Sequence, residues 1–175
     1  EPHNEQWFKD NGFETFTMPQ GIHFEGAGDA LIWQDRVFAG HRTRTDIGSH
    51  GLITAVTGLP VLSLELVYNR FYHIYVCLCP LHDGHFIYHP LAFNEYGLTA
   101  IKANIPESKL IPVTEEDANR FACNAVNVND TIIFNQGSDT LANELKSRGF
   151  NVIQTDMSEF IKSGGSSKCL TLRVG

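Results

Sequence analysis

Apolar and polar positions alternate in three short bursts along the chain, each folded about a pair of turn-forming residues. GDALIWQDRVFAG turns at Gln34-Asp35, HIYVCLCPLHDGHFIYHP at Asp83-Gly84, and CNAVNVNDTIIFN at Asn129-Asp130. A period of two marks strands with one face against a core, and short polar pairs between such runs mark hairpins. Three hairpins are therefore predicted. Between them the apolar spacing lengthens to that of a helix. TEEDANRFA opens on Thr114 as an N-cap with Asp117 three residues on, and SDTLANELKSRGF runs from Ser138 to a stop at Gly149. The first residues read as the tail of a helix.

The pattern also repeats. Residues 9–16, KDNGFETF, read like residues 146–153, KSRGFNVI: a helix end, a glycine stop, an aromatic residue, then a strand. Polar residues where loops enter apolar strands supply a period. Glu25, His73, Asn124 and Cys169 are separated by intervals of 48, 51 and 45 residues. A repeat of about 50 residues holding strands and one helix fits a propeller blade or a ββαβ module set around an axis. In a radial array the corresponding strand ends converge, which would bring a carboxylate, an imidazole, an amide and a thiol to one pocket.

Composition narrows the partners. Thirteen basic residues stand against twenty acidic ones, a net charge of −7, and no basic run is present. That argues against nucleic acid, whose binding rests on neutralising phosphates, and against an anionic membrane surface. No apolar stretch reaches the roughly 20 residues that span a bilayer, and the polar start lacks the basic and apolar regions of a secretion signal. A cytoplasmic location is the default expectation. In that compartment the four cysteines, Cys77, Cys79, Cys123 and Cys169, are expected as thiols.

Several of these residues could carry chemistry. Cys169 follows GGSSK, a flexible stretch whose lysine favours a thiolate, although local sequence by itself favours a small core residue, a cysteine opening a buried strand with Leu170 and Leu172. His73 lies in the apolar run FYHIYVCLCP and needs a partner before it means more than a hydrogen-bonded core histidine. Glu25 and Asp29 flank glycines in HFEGAGDAL; two carboxylates in one pocket suit a planar cation such as guanidinium. Cys77 and Cys79 with His82, His85 and His89 raise a zinc site, but Cys-Leu-Cys lacks the gap of a zinc knuckle, so no metal is expected.

Taken together the motifs resemble the pentein superfamily of guanidino-group modifying enzymes, closest to its amidinotransferase-like and arginine-dihydrolase-like branch. The resemblance rests on FEGAGDALI at 24–32, GHRTRTD at 40–46, LELVYNRFYHIYVCLCPL at 64–81, YHPLAF at 88–93, FACNAV at 121–126 and SEFIKSGGSSKCLTLRV at 158–174, which follow the family's order. It implies an α/β fold, part of a five-bladed α/β propeller of ββαβ modules. It further implies a cysteine-dependent hydrolase, or an amidinotransferase, acting without a cofactor on the guanidino group of arginine or an arginine derivative. In that reading Cys169 is the nucleophile that forms a thiouronium intermediate, and His73 the general acid and base. Glu25 is its carboxylate partner, Asp29 anchors the guanidinium, and Arg44 pairs with the substrate's α-carboxylate.

Two departures stand out. Deiminases, dihydrolases and transferases of the family carry His-Leu-Asp where this chain has His73-Ile74-Tyr75, so a second carboxylate is replaced by a phenol. The 175 residues amount to about three and a half modules of one incomplete domain, the N-terminal modules being those expected to be missing. Open propeller edges expose strands and apolar faces, so a homo-oligomer covering them is predicted. The alternative is a remnant of weak or no activity that binds arginine-like ligands or only assembles with itself.

Overall fold

A computed structural model describes residues 2–172, in which nine strands form three separate three-stranded sheets of one construction. Helix α1, Pro2–Asp10, leads into the first unit. There β1, Ala30–Trp33, pairs antiparallel with β2, Arg36–His41; helix α2, Ser49–Thr57, then carries the chain back to β3, Val61–Glu65, parallel to β2. The second unit begins with the single helical turn α3, Ile74–Cys77, and repeats the plan with β4, Leu78–Pro80, β5, Phe86–Tyr88, helix α4, Glu95–Asn104, and β6, Leu110–Pro112. In the third, α5, Glu115–Asn119, precedes β7, Val126–Val128, β8, Thr131–Asn135, α6, Asp139–Ser147, and β9, Asn151–Thr155; α7, Ser158–Lys162, follows. Each unit is thus ββαβ, the helix supplying the crossover that a parallel pair requires.

The repeat is stricter than the polar residues indicated. Ala30, Leu78 and Val126 open successive sheets 48 residues apart, and Phe38, Phe86 and Phe134, at the same spacing, are all fully buried. Adjacent units are joined through these rings: Phe86 lies 5.1 Å from Phe38 and 4.9 Å from Trp33, centroid to centroid. Tilted and edge-to-face contacts of this kind add about 0.5–1.5 kcal/mol each beyond the area they bury.

All three predicted hairpins form, with Gln34 (φ 53°), Gly84 (φ 92°) and Asn129 (φ 50°) taking the left-handed conformation in the loops. Thr114 caps α5 by accepting the Asp117 N–H at 3.1 Å, and Gly149 (φ 93°) follows α6. Three expectations change. The run around His73 is not a strand; it enters α3, leaving only Leu78–Pro80 to pair. Residues 14–16 form no strand although their counterparts 151–153 lie in β9, because β9 has β8 beside it and no hairpin precedes Phe13 among the described residues. Cys169 opens no buried strand either: it sits in a 3₁₀ turn, Lys168–Leu170, with Leu170 and Leu172 exposed, and the last residues of the predicted strand, 173–175, lie outside the described residues. Among the described residues no helix is long and apolar enough to cross a membrane.

Candidate active site

The site is assembled where the short helical turns meet at the entrances to the sheets. In the first unit Glu25 leads into a 3₁₀ turn, Gly26–Gly28, that ends on Asp29. Gly28 has to be glycine because a Cβ there would stand 3.0 Å from the Nδ1 of His73. Asp29, 1% exposed, reaches from the first unit into the second. Its Oδ1 accepts the Ile74 N–H at 2.9 Å, and its Oδ2 meets the Thr45 hydroxyl at 2.7 Å and His73 Nδ1 at 3.0 Å. A carboxylate buried this deeply is tolerated only when its lone pairs are occupied. With Asp29 accepting from Nδ1–H, Nε2 is left as the nitrogen that can exchange a proton.

His73 is held in extended backbone (φ −130°, ψ 150°) at the N-cap of α3, so the same four residues, Tyr72 to Tyr75, serve both sides of the site. The rings of Tyr72 and Tyr75 lie 4.8 and 5.2 Å from the imidazole. The Tyr72 hydroxyl donates to the Gly164 carbonyl, fastening the loop that carries Cys169. Burial, reinforced by the neighbouring Cys169, raises the Tyr72 phenol above its usual range. Tyr75 is raised further, first by burial and then by a hydrogen bond with Cys169. Both phenols therefore remain protonated at neutral pH, the Tyr72 hydrogen being committed to the Gly164 carbonyl.

Cys169 is held by Asn124, in the turn before β7. The Asn124 Oδ1 accepts the N–H groups of Lys168 and Cys169 at 3.0 and 3.3 Å and lies 3.4 Å from the Cys169 sulfur. The other three thiols have no such setting. Cys77, Cys79 and Cys123 are buried, and burial pushes Cys79 up to about 12 and the other two well above the usual thiol range. Of the four cysteines, Cys169 alone is partly exposed.

The structure sets the two acids otherwise than the resemblance implied. Asp29, not Glu25, is the partner of His73; with its oxygens occupied and almost no exposure, it cannot grip a guanidinium. Glu25 instead stands at the rim, its Oε1 3.6 Å from Arg44 Nη1, and both side chains are about half exposed. Arg44 also lies over the Tyr72 ring, its Cζ 5.7 Å from the centroid. An acid and a base thus face each other at the mouth of the site.

Thr45, which ties Asp29 to the Glu25 backbone, was not singled out from sequence. No pattern marks it, since a threonine in a loop takes its meaning from what folds against it. Among the described residues no group of three or more His, Cys, Asp and Glu is placed to hold a metal ion. Of the residues weighed for zinc, His85 pairs with Asp83, His82 with Asp130, and Cys79 faces the Ala125 carbonyl.

A family model described as N,N dimethylarginine dimethylhydrolase, eukaryotic, matches residues 9–174. The chain belongs to that family. Within this dimethylarginine dimethylhydrolase family the three ββαβ units are part of the pentein α/β propeller, as the resemblance implied. The chain is 47% identical over 176 residues to the bifunctional arginine dihydrolase/ornithine cyclodeaminase ArgZ of Synechocystis sp., covering 99% of this chain and 25% of that protein. It is 41% identical over 150 residues to the N(G),N(G)-dimethylarginine dimethylaminohydrolase of Mycobacterium tuberculosis, covering 86% of this chain and 49% of the relative. Its structure superposes with a TM-score of 0.97, at 46% identity, on the N-terminal domain of ArgZ in a crystal structure containing a covalently bound reaction intermediate, covering 99% of this chain and 65% of that one. The chain therefore spans between a quarter and half of the length of these two relatives.

Proposed function

We propose that this chain carries the catalytic groups of a cysteine-dependent hydrolase acting on the guanidino group of arginine or a methylated arginine. The observation that carries the reading is the joining of two units by one short segment. Residues 72–75 hold His73 on the buried Asp29 on one side and fasten the Cys169 loop on the other, through the Tyr72 hydroxyl on the Gly164 carbonyl and through Asn124, which bridges the Tyr75 carbonyl and the Cys169 N–H.

The chemistry follows from what a guanidinium lacks. Its charge is delocalised, so it is a poor electrophile and its amine a poor leaving group; a thiolate and a positioned acid answer both. The Cys169 thiolate attacks the guanidinium carbon, forming the C–S bond. As the tetrahedral adduct collapses, His73 Nε2–H gives its proton to the departing nitrogen and the C–N bond breaks. The neutral imidazole then takes a proton from water, whose oxygen attacks the thiouronium carbon; cleavage of the C–S bond regenerates the thiolate, and the remaining hydroxyl proton passes to solvent to leave the neutral ureido product. Asp29 stabilises the imidazolium present before amine release and again after water attack. Glu25 receives the cationic end of the substrate and Arg44 its carboxylate, each giving up the other.

The family membership and the similarity to ArgZ and to the mycobacterial dimethylaminohydrolase support a guanidine substrate. Incubation with arginine, dimethylarginine and agmatine should release ammonia or dimethylamine, and Cys169→Ser should abolish the release. No product from any of the three, under conditions where a full-length relative turns over, would overturn the assignment. Four thiols with no disulfide accord with a cytoplasmic setting. A second copy is the proposed cover for the apolar groove of about 850 Å³ lined by Phe16, Ile32 and Val56, all exposed in the single chain; light scattering that finds a monomer at micromolar concentration would remove that part of the proposal.

A further inference from the structure

Asn124 is fully buried, yet its amide is saturated by groups that all belong to the site. Its Oδ1 faces the N–H of Lys168 at 3.0 Å, the N–H of Cys169 at 3.3 Å and the Cys169 sulfur at 3.4 Å. Its Nδ2 donates to the Tyr75 carbonyl at 3.3 Å, and its own carbonyl accepts the Lys168 N–H at 3.2 Å. Donors on one side and a carbonyl on the other fix which way the amide points. Asn124 thus joins the nucleophile's turn to the segment that carries His73 by hydrogen bonds to both.

The backbone beneath it is strained to achieve this. Phe121 has φ 62°, the left-handed region that a bulky residue avoids, and its carbonyl accepts the Asn124 N–H at 2.9 Å to close the turn. A turn of this kind persists where the surrounding structure over-determines it. Here the surroundings are a buried phenylalanine and an amide with every polar atom engaged.

We infer that Asn124 is a positioning residue for the nucleophile: it sets the distance between the Cys169 sulfur and the His73 segment, and it presents that sulfur with a neutral oxygen rather than a charge. The inference rests on Cys169 as nucleophile, not on which guanidine is consumed.

Asn124→Asp tests it, because shape and the acceptor for both N–H groups are kept while a carboxylate replaces the neutral amide beside the sulfur and the donor to the Tyr75 carbonyl is lost. A like charge at this range disfavours the thiolate, and the two groups then titrate as a pair. Alkylation of the native protein by iodoacetamide, followed residue by residue with mass spectrometry across pH, reads Cys169 directly. The expected result is a folded variant whose Cys169 alkylation at pH 7.5 is slower by about tenfold or more, with the profile moved to higher pH. Asn124→Ala supplies the complementary measurement. Freed from its tether, Cys169 should be alkylated at least as fast as in the wild type, while turnover of arginine or dimethylarginine falls about a hundredfold, the loss expected from a reacting group displaced by about 1 Å. A folded Asn124→Asp protein whose alkylation profile superimposes on that of the wild type would overturn the inference. If the profile moves as expected but the wild type hydrolyses no guanidine, the placement of Asn124 stands and the proposed activity falls.

Discussion

Replacing Asp29 by asparagine separates the two acids by a single measurement. The change preserves size and leaves an acceptor for the Ile74 N–H, but it turns the oxygen facing Thr45 and His73 into an NH₂ group that can only donate. The Thr45 hydroxyl can rotate and accept. The imidazole can respond only by moving its proton from Nδ1 to Nε2, so Nε2 is no longer the free base, and the imidazolium loses its counter-charge. General acid–base catalysis contributes about 10²–10⁴-fold, so kcat should fall by that range, a barrier increase of about 3–5 kcal/mol at 1.36 kcal/mol per decade. KM should change little, because Asp29 is 1% exposed and does not meet the substrate. Stability loses one charge-assisted hydrogen bond of about 1.5–3 kcal/mol, offset in part because an amide is easier to bury than a carboxylate. A net loss of about 1–2 kcal/mol lowers Tm by about 2–8 °C in a domain of this size. Steady-state release of ammonia from arginine and a thermal melt give both numbers. A folded Asp29→Asn protein that turns over within tenfold of the wild type would refute the dyad, and a thousandfold loss in Glu25→Gln instead would return that role to Glu25.

Four further outcomes are expected. Native protein treated with iodoacetamide should carry one modification, at Cys169, and four only after denaturation, because the other thiols are buried and raised well above neutrality; peptide mapping checks this. Arg44→Ala should raise KM for arginine about 10–100-fold, the value of a charge-assisted hydrogen bond, while leaving KM for agmatine, which has no carboxylate, nearly unchanged. Burial lowers the pKa values of His41 and His50 below the ordinary 6.5 in the folded state, so as pH falls below about 6.5 the unfolded chain binds protons first and stability declines, by at most about 1.4 kcal/mol per pH unit for each group; Tm measured from pH 7.5 to 5 should fall, less steeply in His50→Gln. Phe86→Ala should cost about 3–5 kcal/mol, read in denaturant unfolding, because that fully buried ring joins the first two units through Phe38 and Trp33.

Much of this architecture was legible because its signals are local. A hairpin declares itself through alternation and two turn residues, and a helix through a cap such as Thr114 and a stop such as Gly149; these need no knowledge of what lies across the core. The segment around His73 was misread as strand because its apolar residues are buried on all sides, and a short buried run has no period to choose between helix and strand. Thr45 and Tyr72 escaped notice for a different reason. Thr45 matters through hydrogen bonds to Asp29 and to the Glu25 backbone and Tyr72 through one to Gly164, and such contacts exist only once the chain is packed.

The strict 48-residue phase explains both the success and the error of the periodic reading of the site. Glu25, His73 and Cys169 fall on one phase, and the residue at that phase in the third unit is Phe121, not Asn124. His73 and Cys169 project to the site from that position, so following the period leads to them without any pairing information. The same rule brings Glu25 to the site, and the family resemblance implied it as the partner of His73, but equal phase places residues at corresponding points of neighbouring units and does not decide which side chains meet. Asp29 lies one helical turn beyond Glu25, on the inward side of the Gly26–Gly28 turn, and it is this offset that carries a carboxylate under the imidazole. In the third unit the in-phase position is filled by a buried aromatic ring, and the polar group comes from three residues later through a left-handed turn. Two of the four contributors therefore depart from phase in the same direction, Asp29 and Asn124, and both are the buried residues that hold another group in place. The two on phase, His73 and Cys169, are the ones proposed to react. The repeat sets where chemistry can converge, and departures from it supply the supports that orient the reacting groups.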